Sequence, residues 1–121
     1  MSKLSLLDFC ILDAMAVGSE PFSMIYQELL SYGRLEWDMG LIAHSTCNLV
    51  LSGMPEICGI EARNKSDLNP TTLLEHYKFL DKELQEVGTP FYYSRGEYFF
   101  QMTEAGKEEW QKDEYQPFYT T

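Results

Sequence analysis

The sequence is poor in positive charge. Its 121 residues include nine Lys+Arg against 19 Asp+Glu, which gives a formal net charge of −10 at pH 7. Nucleic acids and anionic membranes are bound through clustered cations, so this balance argues against loose electrostatic binding to either. No Lys or Arg occurs from Trp37 through Ile60. The charge pattern therefore favours a basic protein as the partner.

Long apolar runs and clustered cysteines are also missing. No stretch of 18 apolar residues exists, so we expect no transmembrane helix. Asp8 and Asp13 interrupt the first apolar stretch, and we therefore expect no secretory signal. Cys10, Cys47 and Cys58 are widely spaced, without a C-x-x-C pair or a His/Cys cluster, which predicts neither a zinc site nor a disulfide framework. These features favour a reducing cytoplasm.

The sequence motifs of common enzymes are absent. There is no G-x-S-x-G, no phosphate-binding glycine loop and no H-E-x-x-H. The two histidines are His44 and His76, and we expect both on the surface. His44 precedes Ser45, but adjacent residues on a helix point in different directions and do not form a nucleophile pair. We predict no catalytic residue, no cofactor and no metal, and a protein that is not an enzyme.

What the chain does have is enough apolar material for one core. Hydrophobic residues make up 45% of the sequence and aromatic residues 14%, and the length suits one domain. We predict a single α+β domain over residues 1–112, followed by an aromatic C-terminal tail over residues 113–121.

Apolar residues recur at helical spacing in three N-terminal segments. The predicted helices cover residues 4–17, residues from about 21 to 32, and residues from 37 or 38 to 51. A capping hydroxyl, an acid and an early proline at Ser19-Glu20-Pro21 predict the start of the second helix. Its predicted inward positions are Phe22, Ile25, Tyr26, Leu29 and Leu30.

Strand patterns follow, with a further helix between them. Residues 56–62 alternate polar and apolar, and residues 89–93 and 97–102 read as strand, turn and strand. Asn69-Pro70 predicts a helix start, and the stripe of that helix at Leu73, Tyr77, Leu80, Leu84 and Val87 suits packing on another helix. We predict that residues 57–61 pair with residues 97–102 as antiparallel strands, and that Thr103 caps a last helix through about residue 112.

A ten-residue phrase near the C-terminus carries a family resemblance. It reads Tyr98-Phe99-Phe100-Gln101-Met102-Thr103-Glu104-Ala105-Gly106-Lys107 and resembles the last wing strand and following turn of MarR- and PadR-type winged-helix regulators. The third helix, running through Leu51-Ser52-Gly53-Met54 into the strand at 57–60, is similar to a recognition helix and first wing strand. The resemblance implies a mainly helical winged helix with a small antiparallel wing sheet. The sequence departs from that layout because the residues between the two wing strands are too many for a normal wing, and we predict that an additional helix is inserted there.

Two alignments with the winged-helix layout are open. In the first, which we favour, the third helix corresponds to the recognition helix. In the second, the helix over residues 71–87 takes that place and residues 90–102 form the whole wing. The first leaves the recognition helix without cations, and the second puts Glu75, Asp81, Glu83 and Glu86 beside Lys78 and Lys82.

Two functions are likewise open. The first is a protein-binding module that docks an acidic, aromatic-edged face on a basic partner; in composition alone it is similar to immunity proteins that neutralise cationic toxins. Its predicted contact residues are Glu104, Glu108, Glu109, Tyr115, Phe118 and Tyr119. The alternative, implied by the resemblance, is a dimeric DNA-binding transcriptional regulator. Its predicted DNA-binding residues are Arg63, Lys65, Lys78, Lys82 and Arg95.

The tail has three aromatic residues within five positions, and such side chains are seldom left in water. It either folds back on the core or docks on another subunit. Self-association through the helix at 70–87 or through the tail predicts a homodimer.

Overall fold

The computed structural model describes residues 4–58, 68–74 and 98–120. Its helices are α1 (Leu6–Ala14), α2 (Phe22–Leu30), α3 (Met39–Leu51) and α4 (Glu104–Trp110). Its strands are β1 (Glu20–Pro21), β2 (Pro55–Cys58) and β3 (Phe99–Met102), and a 3-10 helix covers Asp113–Thr120. Residues 70–74 are also helical. The chain is thus an α+β protein with a small antiparallel sheet.

Side-chain caps begin three of the four named helices, because each cap satisfies a backbone N–H that has no partner inside the helix. The Asp8 backbone N–H donates to Ser5 Oγ (3.1 Å), and the Ser5 N–H donates back to Asp8 Oδ2 (3.3 Å). Asp38 Oδ1 accepts from the Leu41 N–H at 2.8 Å. Thr103 caps α4 by accepting from the Gly106 N–H, as the sequence predicted.

The second helix begins within one residue of the predicted position, but the predicted capping signal at Ser19-Glu20-Pro21 was wrong. Glu20 and Pro21 form strand β1, and α2 begins at Phe22 without a side-chain cap. Glu20 pairs with Phe100, and the Phe22 N–H donates to the Tyr98 carbonyl at 3.1 Å. A proline is compatible with this strand because β1 lies at the edge of the sheet. Pairing with a distant strand therefore overrides the local helix-start signal.

Two further boundaries and one core position also differ from the predictions. Helix α1 ends at Ala14 with Met15 as its C-cap, so Val17 lies beyond it and is 90% exposed. Leu30, predicted to face inward, is the last residue of α2 and is 51% exposed. Both helices end about a turn or less before the apolar pattern does.

The sheet has the order β1-β3-β2, with β3 in the middle and both pairings antiparallel. Pro55 lies opposite Met102 and Cys58 opposite Phe99. The predicted antiparallel pairing of residues 57–61 with residues 97–102 is therefore confirmed over the described residues. Positions 59–61 and 97 lie outside them, as does the predicted strand at 89–93.

The core forms where the three N-terminal helices meet the inner face of the sheet. Ile11, Ile25, Ile42 and Phe100 are completely buried there. Helix α4 packs against the turn between α3 and β2 at Gly106. A Cβ atom at this position would overlap the carbonyl oxygen of Met54. The close approach of α4 to this turn therefore requires a residue without a side chain at position 106.

The start of the inserted helix is also as predicted. Asn69 Oδ1 accepts from the Thr72 N–H at 3.0 Å, and Leu73 is buried in the core. Residues 75–87, which carry the rest of the predicted stripe, lie outside the described residues. None of the described helices is long and apolar enough to cross a membrane.

Candidate functional site

One side of α3 faces away from the core and carries no Lys, Arg, Asp or Glu. Leu41, His44, Asn48 and Leu51 are spaced three, four and three residues apart, which puts them on one side of the helix. All four are exposed, and Leu51 is 72% exposed. The buried positions of α3 lie on the other side of the helix and are Ile42, Ala43, Thr46, Cys47, Leu49 and Val50. We call the four exposed residues the outer face of α3.

A cavity of about 150 Å³ lies beside this outer face. Helix α3 forms one wall, to which His44, Cys47, Asn48 and Leu51 contribute, and residues 68–70 form the opposite wall. The cap of Asn69 holds this second wall in place, because it fixes the start of the helical residues 70–74. The outer face of α3 is thus one side of a concave surface.

The charged residues of the described segment 4–58 are almost all acidic. Residues 4–58, which include α1 to α3, contain one Lys or Arg and seven acids, namely Asp8, Asp13, Glu20, Glu28, Glu36, Asp38 and Glu56. The one cation is Arg34, whose Nη1 lies 3.2 Å from Glu36 Oε1 and whose guanidinium carbon lies 5.1 Å from the centre of the Trp37 ring. Arg34 is therefore engaged within the chain.

The Cys47 thiol, which lines the cavity, is not activated as a nucleophile. Burial raises the pKa of the Cys47 thiol to about 11, so the thiol stays protonated and weakly nucleophilic near neutral pH. Burial, followed by the charge of Asp13, has the same effect on the pKa of Cys10. Among the described residues, no group of three or more His, Cys, Asp or Glu side chains is placed to hold a metal ion.

The acidic, aromatic face predicted from the sequence is divided by the fold. Glu104 and Glu108 are exposed on α4, and Phe118 is partly buried against the core. Glu109 is only 4% exposed and Tyr115 only 1% exposed. These two residues belong to the interior, which corrects their predicted place on a partner-binding surface. The side chain of Tyr119 lies outside what the structure describes.

Glu109 and Tyr115 instead join the two ends of the described chain. The Tyr115 hydroxyl donates to Glu109 Oε2 at 2.5 Å and accepts from the Leu4 N–H at 3.1 Å. Lys112 Nζ lies 3.0 Å from Glu109 Oε1. Burial, and then the hydrogen bond to Glu109, raises the pKa of Tyr115 to about 12.

Aromatic contacts complete the attachment of the 3-10 helix. The Tyr115 ring stacks on Phe9 with 5.6 Å between centroids, and the Phe118 ring meets Phe9 edge-on at 5.4 Å. The sequence left two possibilities for the tail, folding back on the core or docking on another subunit. The part that contains Tyr115 and Phe118 folds back on the core. The surface predicted for self-association therefore loses Tyr115, and it also loses Leu73, which is buried in the core.

The five residues of the DNA-binding alternative all fall outside the described residues. They are Arg63, Lys65, Lys78, Lys82 and Arg95. His76 also lies outside, whereas His44 is exposed, as predicted, and lines the cavity.

Sequence reasoning missed the apolar part of the outer face. The signal was present, because Leu41 and Leu51 do not fit the inward stripe of α3, and a leucine off the stripe marks apolar surface facing water. The wall formed by residues 68–70 had no such signal, since its approach to α3 depends on the fold of the chain.

No known protein family, curated protein or solved structure matches this chain.

Proposed function

We propose that the chain is a non-enzymatic protein-binding module on a winged-helix scaffold, and that it binds a basic partner. The scaffold is supported by the element order α1, β1, α2, α3, β2, β3 and by the sheet order β1-β3-β2. This order puts a helix pair, α2 and α3, directly before two paired strands, as the first of the two alignments requires.

The outer face of α3 carries the functional part of the proposal. A DNA recognition helix presents donors to phosphates and to guanine edges, and Arg and Lys make most of these contacts. This face offers leucines, a histidine and an amide, and Arg34, the one Lys or Arg of residues 4–58, is already paired with Glu36. Exposed apolar side chains at a concave surface are typical of protein interfaces instead.

The excess of acidic residues in the chain favours a positively charged protein as the partner. A net charge of −10 attracts a cationic protein over a distance and raises the rate of association more than the final affinity. The module acts by occupying a surface of that partner, which is how an inhibitor or immunity-type protein works. The binding rate should therefore fall as salt increases.

The alternative, a dimeric DNA-binding regulator, is favoured by the same element order. It requires the cations at positions 63, 65, 78, 82 and 95 to supply the phosphate contacts that α3 lacks. Affinity for DNA would then arise from segments other than α1 to α3.

Two binding measurements on the full chain test the proposal. Selection of phage-displayed random 16-residue peptides on the immobilised chain should enrich Lys- and Arg-containing sequences beyond those selected on an unrelated protein of similar acidity. A mobility-shift titration with random duplex at low salt should show no complex tighter than about 10⁻⁶ M. Submicromolar, strongly salt-dependent duplex binding without peptide enrichment would overturn the proposal in favour of the regulator.

A further inference from the structure

We infer that the cavity between α3 and residues 68–70 binds one bulky apolar side chain, best an aromatic ring, from a peptide segment whose flanking residues are Lys or Arg. The inference rests on the proposed function and names the place and the chemistry of the contact. The occupant is a segment of another protein.

The size of the cavity selects the anchor. Its volume is about 150 Å³, and an apolar cavity of about this volume in another protein binds benzene. Leu51, Leu68 and Pro70 give the opening an apolar rim, and buried Cys47 contributes an apolar surface. Aromatic anchors that fill such cavities supply much of the energy of protein interfaces.

Polar groups at the opening suit the main chain of a bound peptide. His44 and Asn48 are exposed one turn apart on α3 and both line the cavity. An imidazole and a carboxamide both donate and accept hydrogen bonds. They can therefore bond to the peptide groups on either side of an inserted ring.

Charge decides between a foreign peptide and a second copy of the chain. Glu36 and Asp38 precede α3, and Glu56 follows it in β2, so both ends of the helix carry acids. A second copy would itself carry a net charge of −10, which opposes association. Lys or Arg beside the anchor gives attraction instead.

Three pentapeptides separate the contribution of the ring from that of the charge. They are acetylated and amidated Lys-Lys-Phe-Lys-Lys, Lys-Lys-Ala-Lys-Lys and Glu-Glu-Phe-Glu-Glu, each titrated into the ¹⁵N-labelled full chain. The first should give saturable amide shifts centred on His44, Asn48, Leu51 and Asn69, and the other two should bind about tenfold more weakly or worse. No saturable shift with the first peptide at about 10 mM overturns the inference.

Two variants with the same change in charge locate the site. Leu51→Arg adds a cation on the cavity rim, and Leu35→Arg adds one at a leucine that is 98% exposed and does not line the cavity. Neither side chain is needed for the core. We expect Leu51→Arg to weaken binding of the Phe pentapeptide about tenfold further than Leu35→Arg does. Equal affinities overturn the inference.

The same variants separate this inference from the proposed function. If phage-selected basic peptides bind both variants alike, the module binds protein through another surface, and only the cavity assignment fails. If selection enriches no peptides, the proposed function fails. A two-chain mass in light scattering that Leu51→Arg returns to one chain would assign the cavity to a second copy, contrary to the inference.

Discussion

Gly106 lies where α4 meets the turn between α3 and β2, and no side chain fits there. A Cβ atom would overlap the Met54 carbonyl oxygen and lie 2.9 Å from its carbonyl carbon. Because these are backbone atoms, relief requires α4 to move. We expect Gly106→Ala to lower the free energy of unfolding by at least about 2 kcal/mol, measured by urea denaturation.

Gly40 provides the matched control for that substitution. It is also helical, but an added Cβ would meet only Asp38 Oδ1 at 3.4 Å, an ordinary contact with a side-chain atom. Alanine is favoured over glycine in a helix, so Gly40→Ala should leave stability unchanged or slightly raised. Equal losses in the two variants would contradict the steric explanation.

Tyr115 is the residue whose removal should change how stability depends on pH. Tyr115→Phe keeps the ring on Phe9 but removes the hydroxyl that joins Glu109 to the Leu4 N–H. We expect the free energy of unfolding at neutral pH to fall by about 1–3 kcal/mol, because the buried Glu109 carboxylate and the Leu4 N–H each lose a hydrogen-bond partner.

The sign of the pH effect follows from the raised pKa. The folded protein holds the Tyr115 proton up to about pH 12, whereas the unfolded chain releases it near the ordinary value of 10. The stabilisation from the hydroxyl is therefore complete below pH 10 and is lost as the pH rises towards 12. We expect the difference in the free energy of unfolding between wild type and Tyr115→Phe, measured by urea titration at each pH, to narrow between pH 10 and pH 12. A constant or widening difference would contradict this account.

Among the secondary-structure elements, α4 depends most visibly on one cap. Thr103 Oγ1 accepts from the Gly106 N–H at 3.1 Å and lies 2.6 Å from the Gly53 carbonyl oxygen and 2.8 Å from that of Met54. The hydroxyl thus fastens α4 to the turn that leads into β2. Thr103→Val keeps the shape of the side chain and should cost about 1–2 kcal/mol of stability.

Thr103→Ser is the control for the hydroxyl itself. It retains the oxygen and removes a methyl group, so most of the stability should be kept. A shift of the urea midpoint at constant slope in Thr103→Val, with a much smaller shift in Thr103→Ser, is the expected result. A larger shift in Thr103→Ser than in Thr103→Val would mean that the methyl contact, and not the cap, fastens α4.

Helices were easier to predict than strand β1, because helix caps join residues close together in the sequence whereas β1 depends on a residue far away in it. The N-terminal caps at Thr103 and Asn69 act within three residues and are legible in the sequence. Strand β1 exists because Glu20 meets Phe100, and nothing near Glu20 encodes that meeting. The pairing of β2 with β3 was predictable because each strand carries its own alternating pattern.

The candidate site likewise has one feature that can be read from the sequence and one that depends on the fold. The absence of cations from α3 is a property of the sequence and was recognised there, whereas the cavity requires α3 and residues 68–70 to be side by side. The burial of Glu109 and Tyr115 was not foreseen. The two side chains bond to each other, and Tyr115 is also satisfied by the Leu4 N–H and Glu109 by Lys112. Composition alone assigns such residues to the surface.

For the whole molecule, the excess of acids should make stability depend on ionic strength. A net charge of −10 on 121 residues repels itself, and the folded state concentrates that repulsion. Raising monovalent salt from about 0.01 to 0.15 M shortens the screening length from about 30 to 8 Å, so we expect Tm to rise. Differential scanning calorimetry measures the shift.

The choice of salt distinguishes screening from ion binding. Sodium chloride and choline chloride should raise Tm alike, because screening depends on ionic strength and not on the identity of the cation. An effect limited to sodium would indicate a specific site, and a fall in Tm would contradict the repulsion argument.

The middle position of β3 also has a consequence for biosynthesis. A ribosome delivers the chain from its N-terminus, so β1 and β2 emerge long before Phe99–Met102, the strand that both of them pair with. Until then α1 to α3 have no Phe100 to pack against. The sheet forms in one late event that depends on contacts distant in sequence, and such contacts slow folding. A growing chain must therefore keep its apolar helix faces from other partners until the central strand arrives.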